Sequence, residues 1–332
     1  MSELSGRRTQ TKERIEALRS ELGVAAGIAE GKACVYATGS FGRGEASKYS
    51  DLDLFILARD GSEIGADGKP KNFLKRLDEI CIKADLIEVT RKLSIPEFSG
   101  DGKYLTRYSV EEIVNTLGRQ EDDMVNTFTA RLLLLLESCP LIGEATYHAA
   151  LEDVLAAYWR DYEDHKATFT PAFLVNDILR LWRTFCVNYE ARTERVPDLQ
   201  KAKGKLTNYK LKHSRLLTCY SALLYFLFIF NRNKTVAPLD ALSMIALTPT
   251  QRIEWLMGQS DVSCRDVLQK ILDQYQKFLS ATNADEADLI NIFLDREKSI
   301  QYREESYVFG DLVFEAINKI GNGSRLHRLI AV

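Results

Sequence analysis

One stretch of the chain restricts its fold more than any other. ACVYATGS at 33–40 is a short apolar run that stops at Gly39-Ser40, FGRGE follows to Glu45, and after a brief connection SDLDLFILA begins at Ser50. Both apolar runs have strand length and composition, and the glycine, serine and charged residues between them mark a turn. In a strand, side chains two apart share a face, so Asp51 and Asp53 lie on one side and Leu52 and Leu54 on the other, as a half-buried strand requires. Gly39 has no Cβ and lets the backbone approach a ligand. Ser40 follows where amide N–H groups at a helix or turn start favour a phosphate anion, and its hydroxyl can donate to a phosphate oxygen. Arg43 is expected to add positive charge on the same side. Two carboxylates beside a phosphate cradle suit Mg²⁺, which takes carboxylate, phosphate and water oxygens.

Each piece alone is common: Gly-Ser pairs abound, and Asp-x-Asp at a strand start is often a solvated turn. The ordered combination resembles the signature of the DNA polymerase β-like nucleotidyltransferase superfamily, GS-x-x-R-x-E followed by SD-x-D. The wording GSFGRGE is most similar to the bacterial signal-protein uridylyltransferase and glutamine-synthetase adenylyltransferase branch. ARLLLLLESCPLIG at 130–143 resembles, more loosely, the helix that follows the nucleotidyl head there. The resemblance implies that Gly39 and Ser40 hold the triphosphate of ATP or another NTP, and that Asp51 and Asp53 hold the metal, with two Mg²⁺ ions possible. It also implies a third carboxylate on a later strand, acting as metal ligand and as base for the acceptor. The third strand expected at Lys103–Tyr108 has no acid within it. Asp101, just before it, is the first choice as the third catalytic carboxylate. Asp85 and Glu88 stand behind it, in a segment that reads as helix over 73–92 or as strand in its second half.

The remainder reads as helices. Residues 9–30 have helical apolar spacing, and the 73–92 helix would bury Phe73, Leu77, Ile80, Cys81, Ala84 and Ile87. Ser109 and Glu112 have capping-box spacing. From about Asp122 strand signals nearly vanish. The fold class is therefore α+β: a small α/β nucleotidyltransferase head with a mixed sheet at 1–118, and an all-helical domain at 119–332. The apolar run Leu216–Phe230 is shorter than the ~20 residues a bilayer span needs, so it reads as a core helix and no membrane partner is expected. A net charge of −3 excludes a global basic field for nucleic acid. The six cysteines form no CxxC pair and the four histidines no metal-binding spacing, which excludes a zinc site and fits free thiols in a cytoplasmic protein. The charged N-terminus, with no apolar run after it, argues against a secretory signal.

Between Leu199 and Arg215 the chain has six basic residues and no acid, with Tyr209 and His213 interleaved. Lys210 and Lys212 run directly into the apolar helix and are candidates to grip the triphosphate, against the alternative of a solvated helix start. Asn176, Arg180 and Arg183 share one helical face and are candidates to line a cleft; an Asp177–Arg180 ion pair is the simpler account. Glu121-Asp122-Asp123 reads as a helix start, and the three tryptophans as core. The expected reaction moves an NMP from an NTP to an acceptor, a protein side chain first, with RNA or a small molecule next. The alternatives are a nucleotide-binding regulatory or toxin–antitoxin-type module with weak or no transfer, and a synthase of a nucleotide second messenger. Base preference and oligomeric state are not legible in the sequence.

Overall fold

A computed structural model describes residues 2–64, 70–98, 102, 105–191 and 197–331. The chain divides into two compact units, Glu3–Arg160 and Asp161–Val332.

The first unit begins with α1 (Glu3–Glu21) and α2 (Gly23–Ala29), then β1 (Ala33–Ala37), the single turn α3 (Gly39–Gly42) and β2 (Leu54–Ala58). A small ribbon follows, β3 (Asp60–Ile64) with β4 (Pro70–Asn72), then α4 (Arg76–Lys92) and β5 (Arg107–Ser109). The unit closes with α5 (Val110–Asn115), α6 (Glu121–Met124), α7 (Thr127–Leu136), β6 (Cys139–Ile142) and α8 (Glu144–Tyr158). The main sheet has the order β5-β2-β1-β6. β2 and β6 run antiparallel to β1, and β5 runs parallel to β2, so the sheet is mixed. β1 sits inside the sheet, which is why all five of its residues are buried. Leu18, Leu22, Ala25 and Ala29 of α1 and α2 pack with Val35, Ile56, Ile82 and Leu86 into one core. The α+β class and the helical C-terminal region agree with the expectation.

Four sequence expectations need correction. β6 lies beyond residue 122, where strand signals were expected to end; Cys139–Ile142 is too short to announce itself and is a strand only because it pairs with β1. The compact unit carrying the sheet therefore extends past 118. The segment from Ala84 is helix, but α4 buries Ile82, Leu86, Val89 and Thr90, a stripe at i, i+4, i+7 that faces α2. Phe73, Leu77 and Ile80 are 52%, 74% and 52% exposed. The helix has two apolar stripes, and periodicity alone did not say which meets the core. β2 starts at Leu54, leaving Asp51 and Asp53 in the extended lead-in. The third strand is Arg107–Ser109 rather than 103–108, of which 103 and 104 lie outside the described residues.

The second unit is helical throughout its described residues: α9 (Tyr162–His165), α10 (Ala172–Glu190), α11 (Asp198–Lys210), a π-helical turn (Leu211–Arg215), α12 (Leu216–Asn233), α13 (Pro238–Ile245), α14 (Pro249–Gln259), α15 (Val262–Ala281), α16 (Glu286–Leu294), α17 (Arg296–Gly321) and α18 (Arg325–Ala331). α12 is apolar all round because it is the central helix, packed against α10, α13, α14 and α17. The continuous helical run Asp198–Asn233 is long and apolar enough to cross a membrane by length and composition, yet 83% of its most apolar window is buried inside the unit.

Candidate active site

The site is built where β1 ends and β2 begins. Thr38 N–H donates to the Asp53 carbonyl at 2.8 Å, which sets the Gly39 turn against the Asp-x-Asp segment. Gly39 has φ +61°, a conformation that favours glycine. A Cβ there would meet Asp53 Oδ2 at 2.5 Å, so the Asp53 carboxylate occupies the space that any side chain would take. Leu52 and Leu54 are buried while Asp51 is half-buried and Asp53 exposed, the alternation expected from the sequence.

The amides of α3 divide the work. Gly39 N–H donates to Glu137 Oε1 at 3.2 Å, so it is committed inside the protein. The Gly42, Arg43, Gly44 and Glu45 amides bond back within the turn. Among the described residues, the amides of Ser40 and Phe41 and the Ser40 hydroxyl find no acceptor. These orphan donors of a helical first turn are the groups an anion would take. Gly39 thus fits the turn by its conformation, and Ser40 leaves its donors unbonded.

Arg43 is the main correction at the site. It was expected to face the ligand, but its side chain is only 8% exposed. Nε donates to Glu45 at 2.9 Å and Nη1 to Glu137 Oε2 at 2.9 Å. A guanidinium held by two buried carboxylates is a brace for the turn rather than a phosphate contact. Gly42 shares this brace: a Cβ there would sit 2.0 Å from the Glu137 carbonyl oxygen.

The connection between Glu45 and Ser50 is tied to α1. Arg7 donates to the Glu45 carbonyl at 3.3 Å, Ala46 N–H donates to Thr11 Oγ1 at 2.8 Å, and Arg14 donates to the carbonyls of Ser47 and Ser50. The Arg14 guanidinium lies 4.6 Å from the Phe41 ring centroid, and burial lowers its pKa. Sequence reasoning missed Glu137, Arg7, Thr11 and Arg14. Glu137 did carry a signal: a carboxylate ending a run of leucines is buried, and a buried carboxylate needs partners.

Among the described residues no group of three or more His, Cys, Asp or Glu side chains could hold a metal. Two carboxylates do fit Mg²⁺, which is commonly held by one or two protein carboxylates together with substrate phosphates. Among the described residues Asp51 makes no hydrogen bond or ion pair, which leaves its oxygens open to a cation. β5 brings no acid: its residues are Arg107, Tyr108 and Ser109. Asp101 lies outside the described residues. Asp85, the second choice, is taken up elsewhere, accepting from Ala25 N–H at 2.9 Å near the start of α2; Glu88 is exposed on α4.

Lys210 and Lys212 belong to the second unit, Lys210 ending α11 and Lys212 in the π turn with its ammonium 4.6 Å from the Tyr307 ring centroid. Asn176, Arg180 and Arg183 do share one cleft, and Arg180 also lies 3.8 Å from Asp177. Asp122 is fully buried in a pair with Arg131, whose Nη2 donates to Oδ2 at 2.6 Å, so it is structural rather than a metal ligand.

Comparison with curated proteins gave no match, and neither did comparison with solved structures. Residues 16–113, which run from α1 through the Gly39 turn and Asp53 into α5, match the family model of the nucleotidyltransferase domain.

Proposed function

We propose that this protein transfers a nucleoside monophosphate from an NTP to an acceptor, with a protein side chain as the first choice of acceptor. The observation that supports the proposal is the close approach of Gly39 to the Asp53 carboxylate, next to the unbonded amides of Ser40 and Phe41. The Ser40 and Phe41 amides and the Ser40 hydroxyl would receive phosphate oxygens. Asp51 and Asp53 would hold Mg²⁺ and orient the triphosphate. Mg²⁺, when bound, neutralises phosphate charge and lowers the pKa of an attacking group. The brace of Arg43, Glu45 and Glu137 would keep the turn fixed while the phosphates change charge, so that no reorganisation is needed during transfer.

Asp101 is proposed as the base for the acceptor. β5 is parallel to β2, so Leu105 and Thr106, which lead into it, lie at the sheet end that carries Asp53, and Asp101 precedes them by a few residues. The acceptor proposal rests on the similarity of GSFGRGE to the protein-modifying branch.

The test is incubation of the protein with each NTP labelled at the α-phosphate, Mg²⁺ and a cell lysate. Label is expected on a protein, and is expected to vanish with Asp51→Asn/Asp53→Asn. Label on RNA moves the acceptor there, and a new soluble labelled nucleotide favours the second-messenger reading. Tight NTP binding without label transfer or pyrophosphate release contradicts transfer and favours the regulatory module.

A further inference from the structure

The helical unit contains a cleft of about 390 Å³ between α10 and α18. Its polar wall is Asn176, Arg180, Arg183 and Thr184, and its apolar wall is Leu179, Val187 and Leu329. The polar row follows from helical spacing, since positions 176, 180 and 183 stack along one face of α10. Among the described residues the Asn176 amide and Thr184 hydroxyl make no hydrogen bond, and Arg183 makes no ion pair. These donors therefore meet solvent at the rim of a concave, partly apolar surface, the combination that small-molecule sites show.

The local field is positive. From Ile178 to Tyr189 the sequence has no acid. Two cations of the π turn lie along other faces of α10, outside the cleft lining: the Arg215 guanidinium lies 5.3 Å from the Phe185 ring centroid, and the Lys212 charge acts on the Cys186 thiol. A π turn inserts one residue into a helix and re-aims the side chains around it, and such turns are frequent at functional sites. Here the turn sends His213 into the core and leaves Lys212 and Arg215 beside α10. Arg180 is partly offset by Asp177, which is 5% exposed and 3.8 Å away, so Arg183 is the leading anion contact.

We propose that this cleft binds an organic phosphate monoester, with the phosphoryl group on Arg183 and Arg180 and the organic part against Leu179, Val187 and Leu329. A phosphoryl dianion suits the two guanidinium forks better than a carboxylate does, because it presents more acceptor oxygens and more charge. Asn176 and Thr184 give the ester directional hydrogen bonds. The cleft is a site of the helical unit in its own right and does not depend on the head transferring nucleotide.

The test is calorimetric titration of the full chain with phenyl phosphate. It is done without Mg²⁺, and the Arg183→Ala comparison separates binding in the cleft from any at the Ser40 and Phe41 amides of the head. Saturable one-to-one binding is expected, tighter than for inorganic phosphate, which lacks the apolar part, and tighter than for benzoate, which lacks the second charge. Arg183→Ala is expected to weaken phenyl phosphate by about tenfold or more, the size of a lost charge-assisted contact. Arg183 is exposed, so its removal leaves the fold intact, and circular dichroism checks this. Val187→Glu, which places an acid in the cleft, is expected to abolish binding. Undiminished affinity in both variants, or no saturable binding by the parent, overturns the proposal; equal affinity for benzoate overturns the phosphate assignment.

Discussion

Gly39 and Asp53 share a single volume, and that fact organises the residue scale. Gly39→Ala adds a left-handed backbone penalty of about 1–2 kcal/mol and drives a Cβ into Asp53 Oδ2. The expected outcome is a modest fall in stability with at least a tenfold loss of Mg²⁺-dependent NTP affinity, read by denaturant unfolding and by titration. Arg43 separates two accounts of the turn. As a brace between Glu45 and Glu137, its loss in Arg43→Met leaves two buried carboxylates without their cation and costs about 3–5 kcal/mol. A phosphate-gripping Arg43 would leave unfolding unchanged and weaken NTP alone. Chemical denaturation of Arg43→Met beside Glu137→Gln distinguishes them, with the glutamine variant expected to lose less because it keeps an acceptor for Gly39 N–H. The burial of Leu52 and Leu54, alternating with the less buried Asp51 and Asp53, was legible in the sequence because a period of two is a local property. The place of Arg43 was not, because its partner Glu137 is 94 residues away.

The same contrast between local and distant causes governs the elements. β1, β2 and the helical identity of α4 follow from their own residues. The buried face of α4 and the existence of β6 follow from what packs beside them. The π turn is a sharper case, since nothing in LKHSR announces an extra residue in the helix. The structure shows what it accomplishes: His213, 1% exposed, stacks on Phe278 and Phe309 with centroids 4.7 and 4.8 Å away. Its Nδ1 donates to the Tyr209 carbonyl at 2.9 Å. Burial pushes the imidazole down to about 4 from an ordinary 6.5. Between these values the unfolded chain holds a proton that the folded chain refuses. Stability from this residue is therefore full above pH 6.5 and is lost as pH falls toward 4, by about 3 kcal/mol in all. Denaturant unfolding at pH 7, 5.5 and 4.5 is expected to show that slope in the parent, and a shallower slope in His213→Phe, which has nothing to protonate there. Parallel slopes would contradict the neutral, buried histidine.

At the scale of the whole molecule, the chain is two compact units of similar length. The first unit brings the Asp53 carboxylate against Gly39, beside the unbonded Ser40 and Phe41 amides, at one end of a small mixed sheet. The helical unit places a basic cleft on a long amphipathic helix. The family match covers the Gly39 turn and the Asp51–Asp53 pair, and stops within α5, before Glu137. The residues that brace the turn thus come partly from beyond the matched segment, and α7 and β6 belong to the head's working structure. The central claim is that Gly39, Ser40, Asp51 and Asp53 form one site for a metal-bound triphosphate. Titration of the full chain with a non-hydrolysable NTP analogue, with and without Mg²⁺, tests it most directly. The account predicts tight binding that requires Mg²⁺ and weakens at least tenfold, about 1.4 kcal/mol, in Asp53→Asn. Binding that is indifferent both to Mg²⁺ and to Asp53 would contradict it.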